Sequence, residues 1–177
     1  LSLVNARRQR QIKVQTEALE AAANAVIIAD REGKVQWVNQ AFTKLTGYSR
    51  DEIVGETPRV LQSGMHERAF YSNLWATILS GETWRGEVVN RCKDGSLCIE
   101  EQIITPVATR GAEISHFIAV KQDITERRKQ ERKLRHLATH EPLTGLPNRH
   151  ALEERLEEAC REAAAGRSGA LLHLDLD

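Results

Sequence analysis

Apolar residues recur along this chain with two periods, and the switches between them mark its elements. Residues 1–23 contain no Gly or Pro, and Ile12 and Leu19 lie seven apart with Ala22 on the same side. That spacing predicts an amphipathic helix with a thin apolar stripe that packs on a partner. From Ala25 the period shortens. Val26-Ile27-Ile28-Ala29 reads as a short strand, Asp30-Arg31-Glu32-Gly33 as turn chemistry and Val35-Gln36-Trp37-Val38 as an alternating strand, which together make a hairpin. Asn39 is an N-cap for a helix over 40–46 closed by Gly47, and Ser49 with Glu52 forms a capping box for a second short helix.

A loop over 54–58 precedes a predicted helix over 67–79, with Phe70, Leu74, Trp75 and Ile78 at helical spacing and Gly81 beyond it. Two longer strands, 83–91 and 97–107, meet through Lys93-Asp94-Gly95-Ser96, and Asp-Gly is a strong hairpin signal. Arg110-Gly111-Ala112-Glu113 turns the chain into a last strand over 114–121. Strands, short helices, a longer helix and three antiparallel strands make an α+β domain. On the strand from Leu97, alternation places Leu97, Ile99 and Ile103 on one face and Cys98, Glu100, Gln102 and Ile104 on the other.

Thr125 is a candidate cap for a further helix, with Glu126 in its first turn. That helix is basic from Arg127 to Lys133 and its seam, Ile124, Leu134 and Leu137, is thin. Two copies side by side would form a strained coiled coil in which alternative registers cost little. His140 to Arg149 is a wide turn, with Gly145 free to take unusual backbone angles and Pro147 expected in the first turn of the next helix. Residues 150–165 read as a helix, and Ala170 to Asp177 as a buried strand ending in acid.

Composition narrows the function. A length of 177 residues accommodates one ordinary domain and something more. Twenty-five basic residues balance 25 acidic ones, and no aromatics interleave the basic helix, which argues against a nucleic-acid partner. Three cysteines without CxxC spacing, Cys92, Cys98 and Cys160, argue against a disulfide framework or a zinc site and fit a reducing cytoplasm. No apolar run approaches the roughly 20 residues that span a bilayer. The start at Leu1 reads as an excised piece, and the basic run Ala6 to Arg10 leaves open a membrane span upstream in a longer parent.

Over residues 20–125 the chain resembles a PAS domain. The resemblance rests on Val38-Asn39-Gln40-Ala41-Phe42, Leu45-Thr46-Gly47-Tyr48-Ser49, Asn90-Arg91-Cys92-Lys93-Asp94-Gly95 and Asp123-Ile124-Thr125, in that order. It implies a PAS fold: a five-stranded antiparallel sheet cupping a ligand pocket, flanked by signalling helices and usually dimeric. It also turns Cys98, Glu100, Gln102 and Ile104 inward, so Leu97, Ile99 and Ile103 need a cover, either the first helix or a second copy. The pocket set implied is Trp84, Asn90, Glu100, Gln102 and Lys121, with Asp123 and Thr125 coupling it to the next helix. Residues 55–62 resemble the segment bearing the photoactive cysteine of light-sensing LOV domains, but Pro58 stands in its place and excludes adduct chemistry. Of the amide positions that hold flavin there, Asn90 is kept, while Glu100 and Lys121 replace the others and would pair across the pocket. Trp84 and the run Trp-Arg-Gly-Glu-Val-Val-Asn-Arg resemble redox-sensing PAS domains that hold FAD without a cysteine. FAD, another small ligand and a protein-packed core therefore stand side by side. Haem is disfavoured because His66 precedes the helix that would present an iron ligand.

The run Leu143-Thr144-Gly145-Leu146-Pro147-Asn148-Arg149 resembles the entry to GGDEF domains, the diguanylate cyclases. The resemblance covers residues 136–177 and implies that Asp175, with the main-chain carbonyl of Leu176, holds magnesium on the phosphates of GTP. Glu141 departs from the family's usual Asp, and the sequence stops before the GGDEF loop. The division that follows is an N-terminal helix over 1–20, a PAS domain over 21–123, a coupling helix over 124–139 and the partial α/β start of a GGDEF domain over 140–177. A dimeric, cytoplasmic parent would condense two GTP into cyclic di-GMP, and this stretch alone is expected to be inactive. Two alternatives remain. One is a ligand-binding dimerisation module without catalysis. The other is a sensor histidine kinase, suggested by His136 to Glu141, although such kinases continue through Arg-Thr-Pro where this chain has Leu-Thr-Gly-Leu-Pro.

Overall fold

A computed structural model describes residues 2–108 and 113–166. Its backbone divides into two units, Leu1–Glu126 and Arg127–Asp177. The first unit opens with helix α1 (Ser2–Glu20), then the hairpin β1 (Ala25–Asp30) and β2 (Val35–Val38), and the short helices α2 (Gln40–Thr46) and α3 (Arg50–Ile53). A 3-10 turn over Pro58–Leu61 leads to α4 (Arg68–Leu79) and the strands β3 (Trp84–Arg91), β4 (Leu97–Ala108) and β5 (Ile114–Asp123). The sheet order is β2-β1-β5-β4-β3, every neighbour antiparallel.

Asn39 shows how sequence becomes architecture. Its Oδ1 caps α2 by accepting from the Phe42 amide at 3.0 Å and also accepts from Val26 at 2.9 Å. Its Nδ2 donates to the carbonyls of Leu19 and Asn24 at 3.1 and 2.9 Å. One fully buried amide thereby closes the end of α1, the start of β1 and the start of α2, which satisfies main-chain groups that would otherwise be orphaned. A salt bridge from Arg50 to Glu20, 2.5 Å, ties α3 to the same end of α1.

Two apolar clusters fill the concave side of the sheet. One gathers Ile27, Val35, Val38, Phe42, Ile53 and Leu61 under the short helices. The other gathers Leu74 and Ile78 of α4 against Trp84, Val88 and Phe117. The helical spacing of α4 sends Leu74 and Ile78 inward and leaves Leu79 exposed. On the opposite face of the sheet Ile99, Ile103, Ile118 and Val120 are only half-buried. Ile12 and Leu19 of α1 are 54% and 41% exposed, so the first helix does not cover that face with its apolar stripe.

The second unit contains most of α5 (Thr125–Thr139) and all of α6 (Arg149–Ala164). The turn between them closes on itself: Glu141 N–H donates to Leu146 O at 2.8 Å, and Gly145 takes a left-handed φ of 69°. Asn148 caps α6 by accepting from Ala151 at 3.0 Å, and its Nδ2 donates to Ala138 O at 2.8 Å, joining the two helix ends. Pro147 therefore lies one residue outside the cap, not in the first turn, because the Asn side chain is the better partner for the open amides. The seam of α5 is bare, with Leu134 67% and Leu137 47% exposed.

Candidate functional site

Between the two apolar clusters lies a cavity of about 200 Å³. Ile27, Ala29, Val88, Ile104, Phe117 and Ala119 form its sheet side. Tyr71, Leu74, Trp75 and Ile78 approach from α4, and Thr57, Pro58 and Arg59 from the 3-10 segment. That segment is fastened to the sheet by a bridge from Gln62 to Asn90 and by the Ser63 hydroxyl, which donates to Val89 O. Gly33 closes the rim at a φ of 81°, and a Cβ there would stand 2.6 Å from the Trp75 ring.

Three polar side chains enter this apolar wall from the strands: Asn90, Gln102 and Lys121. All three converge on one carboxylate behind them. Glu100 Oε2 accepts from Asn90 Nδ2 at 2.8 Å and from Gln102 Nε2 at 2.6 Å, and Lys121 Nζ lies 3.1 Å away. Glu100 is 0% and Lys121 3% exposed. Strand geometry sets this up: β4 presents Glu100 and Gln102 to the same face, and pairing places Lys121 of β5 directly opposite Gln102. The low dielectric strengthens the attraction, and the two amides satisfy lone pairs that a bare ion pair would leave open. Each amide spends one N–H on Glu100, which leaves a second N–H and the carbonyl oxygen of its inventory.

Tyr71 adds a different feature. Its hydroxyl is buried and has no hydrogen-bond partner among the described residues. Burial raises its pKa above the ordinary value, and the residue is one of those that line the cavity from α4.

Of the five residues expected in the pocket, Asn90, Gln102 and Lys121 line the cavity; Glu100 is their common partner behind the wall. Trp84 is buried but lies outside the lining, because its indole folds over Gly86, where a Cβ would meet it at 2.6 Å, and stands edge-on to Phe70 at 5.7 Å. His66 is likewise engaged elsewhere, accepting from Val89 N–H at 2.8 Å. Asp175 and Leu176 lie outside the described residues, as does the strand expected over 170–177. Tyr71 and the Gly33–Trp75 contact escaped sequence reading, since nothing in a helical Tyr distinguishes a wall from a core.

The coupling residues sit at one junction. Thr125 begins α5 and does not cap it: its amide goes to Asp123 Oδ1 at 2.8 Å, and its hydroxyl accepts from Ile99 N–H at 2.8 Å. Ile124 N–H donates to Ile99 O, also at 2.8 Å. Both main-chain groups of Ile99, the residue beside Glu100, are thus held by the residues that start α5.

A family model for the PAS fold matches residues 16–124. The chain belongs to the PAS family. Among curated relatives, this PAS chain is 33% identical over 121 residues to the nitrogen fixation regulatory protein of Klebsiella pneumoniae, covering 68% of the chain and 24% of that protein. Two Escherichia coli proteins match over greater length. The cyclic di-GMP phosphodiesterase PdeR is 28% identical over 163 residues, covering 91% of the chain and 24% of its own length. The probable diguanylate cyclase DgcE is 30% identical over 166 residues, covering 90% and 15%. The chain thus spans a quarter or less of each of these relatives. Among solved structures, an RNA-binding light-oxygen-voltage receptor superposes with a TM-score of 0.65 at 28% identity, covering 71% of the chain and 36% of the receptor. The PAS assignment makes this a sensory module.

Proposed function

We propose that this PAS module binds a small ligand in its cavity and passes the bound state through the β4–α5 junction to a diguanylate cyclase domain of a longer parent. The observation that carries the reading is Ile99, whose N–H and C=O both engage the start of α5 while its neighbour Glu100 holds three of the cavity's polar groups. A ligand that moves Lys121 or the amides shifts the carboxylate, and the strand carries that shift to Thr125. The link is mechanical, short and fully hydrogen-bonded.

The cavity suits a ligand with an apolar body and an oxygen acceptor for Lys121. FAD remains one candidate occupant: the chain shares its fold with a light-oxygen-voltage receptor, and beyond their bonds to Glu100 the Asn90 and Gln102 amides each keep a carbonyl oxygen and a second N–H for a ligand. Transmission as described needs no flavin.

The division into a helix over 1–20, a PAS domain over 21–123, a coupling helix over 124–139 and the start of a GGDEF domain over 140–177 belongs to this proposal. It is supported by the long match to DgcE and by the closed turn around Asn148. Asp175 and the Leu176 carbonyl would then hold the parent's magnesium against GTP, a role resting on resemblance alone. A second copy of the chain is the proposed cover for Ile99, Ile103, Ile118 and Val120. The length matched to PdeR favours a second reading, in which the parent degrades cyclic di-GMP.

The test is turnover of GTP to cyclic di-GMP by the longer protein. Replacing the buried pair together, Glu100→Gln with Lys121→Met, should change the rate several-fold, and adding Thr125→Val should erase that difference. No product from the unaltered parent would remove the cyclase reading. Product formation indifferent to the cavity pair would remove the transmission reading.

A further inference from the structure

Two of the three cysteines meet across the β3–β4 hairpin. Cys92 Sγ and Cys98 Sγ are 3.3 Å apart, and both are free thiols. The register explains the meeting: Asn90 pairs with Cys98, and Cys92 N–H donates to Ser96 O at 2.8 Å. Cys92 and Cys98 are therefore diagonal neighbours on the inner face of the hairpin. They differ in access. Cys98 is buried, whereas Cys92 is half-buried and lines a surface cleft with Leu45, Gly47, Lys93 and Asp94. Cys98 Sγ also stands 3.4 Å from Glu100 Oε1, on the side of the carboxylate opposite the cavity amides' acceptor.

We infer that Cys92 and Cys98 form a reversible disulfide under a hydroperoxide oxidant, and that its formation is read by the cavity through Glu100. Cys92, the thiol that solvent reaches, attacks the peroxide as its thiolate. The O–O bond breaks, the departing hydroxide leaves as water, and Cys92 becomes a sulfenic acid. The Cys98 sulfur then attacks the Cys92 sulfur. An S–S bond forms, the S–O bond breaks, and the Cys98 proton passes by way of Glu100 Oε1 to the leaving hydroxide, giving a second water. Two thiols lose two electrons, and one peroxide is reduced to two waters. Burial, followed by the Glu100 charge and the Cys92 contact, holds the Cys98 pKa far above that of an ordinary thiol. The proton acceptor beside it matters for that reason.

Closure requires the sulfurs to approach by about 1.2 Å, to the bonding distance of roughly 2.05 Å. The exposed tip, Lys93 to Ser96, can supply that movement. Once bonded, Cys98 no longer donates to Glu100 Oε1, and the carboxylate is left to Asn90, Gln102 and Lys121 alone. A thiol reductant reverses the change. The device would give this fold a redox response carried by its own side chains, whatever occupies the cavity.

The test uses the full chain with Cys160→Ser, which removes the exposed third thiol on α6. After treatment with hydrogen peroxide, unreacted thiols are alkylated in denaturant and the protein is digested with trypsin without reduction. Cleavage after Lys93 separates the two cysteines, so the expected product is a pair of linked peptides, two hydrogens lighter than their sum and released by dithiothreitol. Cys92 found as sulfenic or sulfinic acid with Cys98 alkylated, or links running only between chains, would overturn the disulfide. Coupling is read from the side-chain amide NMR signals of Asn90 and Gln102, which should move on oxidation, return on reduction and stay still in treated Cys98→Ser. Signals that ignore the disulfide would overturn the role of Glu100.

Discussion

Replacing Lys121 by Met tests the buried network most sharply. The substitution keeps the volume of the chain's stem and removes the charge that faces a carboxylate with no solvent exposure. What remains around Glu100 is two amide donors, at 2.8 and 2.6 Å, and the Cys98 thiol at 3.4 Å. Removing one partner of a buried pair costs about 3–5 kcal/mol, because the remaining ion keeps its desolvation penalty without its Coulombic return. A domain of this size holds roughly 5–15 kcal/mol in all, so the loss is a large share, although the amide bonds, each worth about 1.5–3 kcal/mol to a charged acceptor, still support folding. At about 3–4 °C per kcal/mol the melting temperature should fall by roughly 10–20 °C. Adding Glu100→Gln should restore most of the loss, since two neutral groups leave no ion stranded. Urea unfolding followed by tryptophan fluorescence, with an unchanged m-value, gives both numbers. A single variant within about 1 kcal/mol of the parent, or a double variant worse than either single one, would refute the reasoning.

Other outcomes follow from other parts of the fold. Glu52 is held to a pKa of about 2, first by its bond to Lys93 and then by the Ser49 amide and hydroxyl. A depressed acid stabilises the fold above its unfolded value of 4.5 and loses that contribution as pH falls toward 2, so the tie between α3 and the hairpin should release in that window. Carboxyl NMR should show a midpoint near 2, and Lys93→Met should move it up; a midpoint unmoved by that change would contradict the assignment. Tyr71→Phe removes a buried hydroxyl without a partner among the described residues, so the ligand-free chain should gain up to about 1–2 kcal/mol; a comparable loss would show that the hydroxyl is satisfied. An absorption spectrum of the purified chain after incubation with excess FAD decides the occupant: a stoichiometric flavin spectrum identifies FAD, and a spectrum without flavin bands leaves the cavity to another small ligand.

The elements were legible wherever local chemistry decides them. Asp94-Gly95 dictated the hairpin, and its register then followed residue by residue, which is how Glu100 and Gln102 came to share a face. Asn39 was legible as a cap, but its bonds to Leu19, Asn24 and Val26 were not, because they depend on where three elements meet. Thr125 looked like a cap from its position alone. The structure gives its hydroxyl to Ile99 because the strand edge at that point offers an amide with no other partner nearby. Trp84 was read as a pocket residue from its motif, yet Gly86 two positions on leaves room for its indole to lie along the strand. The 3-10 turn at Pro58 replaced an expected loop, since Pro presets φ for such a turn while tertiary contacts fix its length. The meeting of Cys92 with Cys98 is implicit in the hairpin register, since Asn90 pairs with Cys98 and Cys92 stands two residues on.

Transmission from cavity to helix is the central claim, and amide NMR on this chain tests it directly. The variant pair Glu100→Gln with Lys121→Met perturbs the floor without stranding a charge, and the amides to watch are those of Thr125, Glu126 and Arg127 at the start of α5. Their signals should shift in the double variant and stay at their reference positions when Thr125→Val is added to both backgrounds. Shifts confined to residues that line the cavity, with the start of α5 unchanged, would contradict the account.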